Sequence, residues 1–557
     1  MRLTVVSSSL LLCFGLGGLR GADAQQIDAK IDAKKIDAVM KDWTHKDGPG
    51  CAVAVVVRGK VVHAKGYGMA DLERDVPITP DTVFDIASTS KQLTAAVILL
   101  LAADGKLQLD DDIRKYVPEL PQLGKAPITI RHLLHHTGGL RDYMALFELT
   151  GVSTEDVASV RDTLALLARQ RGVDFEPGAQ HRYSNTGYFV LAQIAERASK
   201  QTMAQLVGDR IFRPLGMARS SVLDSHQRVV RGRAIGYSPK PSGGGWQLDM
   251  SGWEQTGDGA VQTTVLDLAK WDENFYDGKV GGRALVDGLQ LRGKTSDGKE
   301  LDYAAGLFHG TYRGQPTVSH SGGWAGYRSD FERFPKLHTS VIVLCNAGSA
   351  KPRQLARAIA DVVLDKQLAP PDAATSAAPV KLTPAELDVW VGSYRNVKTA
   401  EIITVARAGE GLAITAAGQT IPLTPTGKRT FQIAGPEIIV ELAGVPPKRT
   451  VAVRGMGVDE RFEEAAAYAP SAADLAAYAG RYHAPELNAL WVVTIKDGAL
   501  VANGPRRYDA ALAASRKDEF SSVADGVTLR FTRTPRGITG FTVGVGQLQG
   551  VRFDRLP

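Results

Sequence analysis

Phe84-Asp85-Ile86-Ala87-Ser88-Thr89-Ser90-Lys91, followed by the apolar run Leu93 to Ala102, is the stretch from which the rest of this 557-residue chain is read. The run is hydrophobic on every face, which predicts a helix enclosed in a large core rather than one lying on a surface. Gly105 after Asp104 supplies the stop. Ser88 then falls in the first turn, and Lys91, three residues on, leaves from the same face. A serine hydroxyl needs a neighbour to take its proton before it attacks a carbonyl. A lysine pressed against an apolar helix gives up its proton more easily than one in water. The helix N-terminus adds N–H groups suited to an oxyanion. Ser88 is therefore the candidate nucleophile and Lys91 the group that activates it. About one Ser-x-x-Lys is expected by chance in a chain of this length. The second copy, Ser296-Asp297-Gly298-Lys299, lies in a polar turn with no helix behind it.

The chain is too long for one core, so several domains are expected. Its net charge of +6 comes without any basic run interleaved with aromatics, which argues against nucleic acid as a partner. Met1-Arg2, the apolar stretch Leu3 to Leu19 and Ala22-Asp23-Ala24 read as a signal peptide over residues 1–24. The expected protein is exported, periplasmic or secreted after cleavage near Ala24, with no stable membrane anchor. Cleavage removes Cys13 and leaves Cys51 and Cys345, too few for a disulfide scaffold or a cysteine-rich zinc site.

Outward from the Ser88 helix, Cys51 to Val57 and Val61 to Gly68 flank a turn at Arg58-Gly59-Lys60 and read as a β-hairpin. Ile128 to Leu134 reads as a short helix running into His135-His136. Adjacent histidines point apart and no third ligand is spaced to join them, so no metal and no cofactor are expected. Glu176-Pro177-Gly178 turns the chain into Tyr183-Ser184-Asn185, ahead of an amphipathic helix over Tyr188 to Ala198. In an extended segment Tyr183 and Asn185 leave on one side. There a phenol can relay a proton, and an amide can bind a substrate amide. The alternative is a packed tyrosine with Asn185 as a helix cap; Tyr394-Arg395-Asn396 repeats the triplet in an unpromising place.

Thr317 to Gly323, Tyr327 to Phe334 and Thr339 to Asn346 suit an antiparallel sheet, and the glycines after His320 let a substrate backbone approach the strand. A helix over Pro352 to Leu364 closes this domain. Beyond a Pro/Ala-rich linker the chain repeats: Leu387 to Tyr394 matches Leu475 to Tyr482, 88 residues further on. Two copies built of short alternating strands predict two small all-β antiparallel barrels. The expected division is a signal peptide (1–24), a catalytic domain (25–367), a linker (368–380) and barrels over 381–467 and 468–557. Neither barrel carries a catalytic cluster.

Ser88-x-x-Lys91, Tyr183-x-Asn185 and His320-x-Gly322, in this order, resemble the penicillin-recognising serine hydrolases, which include class C β-lactamases, D-Ala-D-Ala carboxypeptidases, D-stereospecific aminopeptidases and esterases. The likeness spans about residues 35–365 and includes Leu133 to Leu140, Glu176-Pro177-Gly178 and Pro214-Leu215-Gly216-Met217. It implies an α+β catalytic domain, with an antiparallel sheet flanked by helices, an all-helical region, and the site in the crevice between them. It also implies an acyl-enzyme on Ser88, proton work shared by Lys91 and Tyr183, and substrate binding by Asn185, His320 and Gly322. His320 would tune Tyr183 or contact the substrate, and the oxyanion hole would be the N–H groups of Ser88 and Gly323.

Histidine at 320, in place of the Lys-Thr-Gly of the lactamases, resembles carboxypeptidases and D-aminopeptidases. The two barrels resemble the three-domain D-stereospecific aminopeptidases. The expected function is a peptidase or amidase on small D-amino-acid-containing or cell-wall-related peptides. The alternatives are an esterase on the same site and, after it, a β-lactamase or a non-catalytic penicillin-binding-like sensor. The implied fold makes the strands of Cys51 and Cys345 antiparallel neighbours, and export permits a bridge. Two unpaired buried thiols are the favoured expectation, because a one-residue slip in register would turn the side chains to opposite faces.

Overall fold

The computed structural model describes residues 31–370, 380–433, 438–455, 458–465, 468–506, 509–546 and 548–557. The signal segment and most of the linker read from the sequence lie outside the described residues.

The strand Cys51–Val57 (β1) is buried along its whole length. Arg58 and Gly59, both with positive φ (49° and 72°), form the two-residue turn that matches strand twist and lead into Lys60–Tyr67 (β2). Four strands from the far end of the domain complete the sheet: Phe308–Tyr312 (β3), Gln315–Trp324 (β4), Tyr327–Phe334 (β5) and Thr339–Cys345 (β6). The order is β3-β4-β5-β6-β1-β2, with every pair antiparallel. β3 pairs with β4 only as far as Phe308↔Ser319, so among the described residues no strand covers the outer edge of His320–Trp324.

The side-chain alternation of β1 divides the core in two. Ala52, Ala54 and Val56 face a cluster built from the helices Lys91–Ala103 (α1), Asn185–Ser199 (α2) and Val265–Asp277 (α3). Cys51, Val53 and Val55 face the other cluster, with Ile36, Met40 and the helix Pro352–Val363 (α4). Cys51 and Cys345 are register partners on this second face, with Cα atoms 4.0 Å apart, and they form a disulfide. This overturns the expectation of two free thiols: the register falls so that both side chains leave on the same side.

The strands from Gly392 to Glu464 and from Gly480 to Arg555 close into two eight-stranded barrels. The repeat is visible in their locks, since the Tyr394 hydroxyl donates to the Trp390 carbonyl at 2.8 Å and the Tyr482 hydroxyl to that of Tyr478 at 2.7 Å. The Tyr394-Arg395-Asn396 triplet is thereby structural: Asn396 Oδ1 accepts from the N–H groups of Lys398 and Thr399. The first barrel meets the second through Arg395 and Glu519, 2.7 Å apart. The second barrel meets the first domain, where Trp491 Nε1 donates to the Leu149 carbonyl at 3.1 Å and Arg506 pairs with Asp156 at 2.6 Å.

Candidate active site

A short 3-10 turn, Ala87–Ser90, carries Ser88, and α1 begins only at Lys91, slightly later than the sequence reading placed it. Ala87 has φ 47°, a left-handed conformation that a residue with a Cβ adopts at a cost of about 1–2 kcal/mol. Asp85 holds it there: Oδ1 accepts from the Ala87 N–H at 2.7 Å, and Oδ2 accepts from Gln262 Nε2 at 2.7 Å. The strained turn presents Ser88 to the crevice.

Lys91 is fully buried, and its Nζ donates to Ser88 Oγ (3.0 Å), Asn185 Oδ1 (2.9 Å) and the Asp258 carbonyl (2.7 Å). Burial pulls its pKa down to about 8, against the opposing charges of Asp258 and Asp142. Burial also lifts Asp258 to about 6, with Lys91 opposing, and Asp258 Oδ2 accepts from the Tyr143 hydroxyl at 2.8 Å. Neither acid stood out in the sequence. The one signal for Asp258 is its place between Gly257 and Gly259. Gly257 has φ 96°, and a Cβ there would lie 2.4 Å from the Tyr188 carbonyl, so the backbone is forced close to α2.

Tyr183 lays its ring 4.9 Å from Lys91 Nζ. Its buried hydroxyl has no hydrogen bond of good geometry among the described residues. Burial pushes its pKa well above the usual phenol value, and Ser88 is the strongest influence pulling the other way. Beneath the ring sits His136, with centroids 4.3 Å apart. His136 Nδ1 accepts from the Ser184 N–H at 3.1 Å, and burial keeps the imidazole neutral. Half of the tempting His135-His136 pair is thus the floor under Tyr183. Asn185 is not in an extended segment, as the spacing suggested, but is the first residue of α2. Its N–H donates to Asp142 Oδ2 at 2.6 Å, which aims the amide at Lys91.

His320 is buried on β4, with Nδ1 against the Ser321 carbonyl at 2.6 Å. Nδ1 therefore carries the proton, and Nε2 accepts from the Tyr303 hydroxyl at 3.3 Å. Burial drives the pKa of His320 to about 3, so it is neutral. Its ring centre is 6.1 Å from that of Tyr183 with no hydrogen bond between them, and it does not line the crevice. Tyr303 takes the free nitrogen, so the link from His320 to Tyr183 runs through that residue rather than through a direct hydrogen bond. Gly322 is a glycine for a reason internal to the fold. A Cβ there would fall 2.3 Å from the Ile86 carbonyl, so its glycine lets the protein's own Ser88 turn approach β4. Gly323 does reach the crevice beside Ser88.

Ser88, Tyr183, Asn185, Asp258 and Gly323 line a cavity of about 290 Å³, with Trp253 and Trp324 among its apolar walls. It shares Tyr183, Asn185 and both tryptophans with a wider, more open groove of about 530 Å³, to which the second barrel contributes Val545 and Leu548. Ser296 lies elsewhere, its N–H on the Gly178 carbonyl at 2.8 Å in a turn. Among the described residues no three His, Cys, Asp or Glu side chains are grouped to hold a metal ion.

The Beta-lactamase family model matches residues 33–364, and the chain belongs to that family. It is a serine hydrolase of the peptidase and amidase type. A D-aminopeptidase of Cereibacter sphaeroides is 26% identical over 525 residues, covering 91% of this chain and 96% of that protein. A D-aminopeptidase of Gluconobacter oxydans is 31% identical over 304 residues, covering 54% of this chain and 57% of that protein. The octameric penicillin-binding protein homologue from Pyrococcus abyssi shares the fold, with a TM-score of 0.57 at 24% identity over 78% of this chain and all of that one.

Proposed function

We propose that the protein is exported and hydrolyses amides of D-amino acids or short D-amino-acid-containing peptides, cell-wall-related ones included, through an acyl-enzyme on Ser88. The observation that carries this reading is the buried Lys91, poised near pKa 8 and hydrogen-bonded to Ser88. Neutral Lys91 keeps two N–H groups, which the fixed oxygens of Asn185 and Asp258 accept, and its lone pair is left facing Ser88. Ser88 passes its proton to Lys91 as its oxygen bonds to the substrate carbonyl. The oxygen that becomes negative takes the N–H groups of Ser88 and Gly323, a donor of this kind contributing ~3 kcal/mol at the transition state. Tyr183 protonates the departing nitrogen and recovers its proton from Lys91. Water then repeats the cycle on the ester: Lys91 takes its proton, and Ser88 leaves with one. His320, through Tyr303, and His136, under the ring, position Tyr183 in this scheme.

The D-aminopeptidase relatives support the substrate class, and the free edge of His320–Trp324 offers a strand for an extended peptide. The Cys51–Cys345 disulfide supports export, since such bonds persist in oxidising compartments. The test is a panel of D- and L-aminoacyl anilides, a short-chain aryl ester and a chromogenic cephalosporin. Turnover of the D-anilides that disappears in Ser88→Ala is the expected result. L-anilides cleaved as fast as their D-counterparts, or hydrolysis confined to the ester or the cephalosporin, would refute the substrate class.

A further inference from the structure

We infer that Arg233 is the specificity residue of the narrower arm of the crevice, and that it takes a carboxylate on the acyl portion of the substrate. Arg233 lines the same 290 Å³ cavity as Ser88, Gly323 and Trp324. Its backbone is fixed against the strand that leads into the nucleophile turn: Val83 N–H donates to the Gly232 carbonyl, and Ala234 N–H to the Val83 carbonyl, both at 2.9 Å. Its side chain is half-buried, and among the described residues its guanidinium makes no hydrogen bond and no ion pair. The carboxylate whose titration it influences, Asp85, already has both oxygens engaged by Ala87 and Gln262. Leu223, Met250, Trp253 and Tyr327 make up much of the remaining wall. Its planar fork, free of hydrogen-bonded partners among the described residues, fits a carboxylate in a two-point bond.

The two arms of the crevice decide which part of the substrate this is. The acyl group must stay while water attacks, whereas the leaving amine must depart. The narrower, less open arm suits retention, and the more open groove toward the second barrel suits release. Resting on the function proposed above, the substrate class narrows to amides whose acyl residue carries an anionic side chain, such as D-aspartyl or D-glutamyl.

The test compares two pairs of matched substrates with wild-type protein, Arg233→Gln and Arg233→Glu, each normalised by fluorophosphonate titration. The pairs are mono-p-nitrophenyl glutarate against p-nitrophenyl valerate, and D-glutamyl against D-glutaminyl anilide. The readout is the ratio of kcat/KM for the anionic over the neutral member. A tenfold or greater preference for the anion in wild type, lost in Arg233→Gln and reversed in Arg233→Glu, is the expected result. A purely structural role would lower both members together and leave the ratio unchanged, which overturns the inference, as does a wild-type ratio near one in the ester pair. The ester pair decides the role of Arg233 whether or not the anilides are cleaved. Uncleaved anilides beside an Arg233-dependent ester ratio would count against the amide reading alone.

Discussion

Arg141 of the catalytic domain and Glu486 of the second barrel form a buried ion pair at 2.6 Å, with side chains only 7% and 5% exposed, one residue away from the Asp142 that holds Asn185. The same Glu486 oxygen accepts from the Arg171 N–H at 2.8 Å, and Gln549 N–H of the barrel donates to Asp174 at 3.2 Å. The barrel is fastened beside the segment that aims the amide of Asn185 at Lys91.

Removing Glu486 leaves the buried Arg141 with only its longer carboxylate contact, to Asp174 at 4.0 Å, so the loss approaches from below the about 3–5 kcal/mol of a broken buried pair. Glu486→Ala is expected to lower stability by that order in denaturant unfolding and to reduce kcat/KM through a loosened Asn185, with Glu486→Gln milder on both counts. Wild-type stability and wild-type kinetics in Glu486→Ala would show that the barrel merely rests on the domain.

The pH dependence follows from Lys91. Its pKa is lowered to about 8 by burial, so neutral lysine accumulates only as pH rises through that value. The kcat/KM of the free enzyme should therefore climb toward a plateau above pH 8. Asp258 raises the pKa of Lys91, so Asp258→Asn is expected to move this limb to lower pH. His320, held near 3, contributes no limb between pH 5 and 8. A rising limb near pH 6.5 that vanishes in His320→Gln would transfer the base role from lysine to histidine.

The Cys51–Cys345 bridge links residues 294 positions apart. The chain-entropy model gives about 5 kcal/mol as a ceiling for closing so long a loop. Cys51→Ser is expected to lower the midpoint of thermal unfolding, and reductant should do the same to wild type while leaving the serine variant unmoved. Labelling of the denatured, unreduced mature protein should find no free thiol; two per chain would dispose of the bridge.

What the sequence made legible was local. The apolar run after Lys91 announced a buried helix, and the extended segment read over Tyr327 to Phe334 coincides with β5. What it left out was set by distant partners. Asn185 looked extended because nothing adjacent reveals the Asp142 carboxylate, 43 residues earlier, that receives its N–H. Asp258 enters the site only through the close packing of Gly257 on α2, and His136 only through its place under Tyr183. β3 went unread because Phe308–Tyr312 is short, holds a glycine and is partly exposed, leaving little hydrophobic alternation to see. The disulfide turned on register, which composition does not encode.

The central claim is that Ser88 is the nucleophile, and covalent labelling tests it most directly. After exposure to a fluorophosphonate at pH 8 and digestion, mass spectrometry should find the adduct on the peptide bearing Ser88. Ser88→Ala should take up none, and Ser296→Ala should label as wild type does. An adduct on any other serine, or undiminished labelling of Ser88→Ala, would contradict the account.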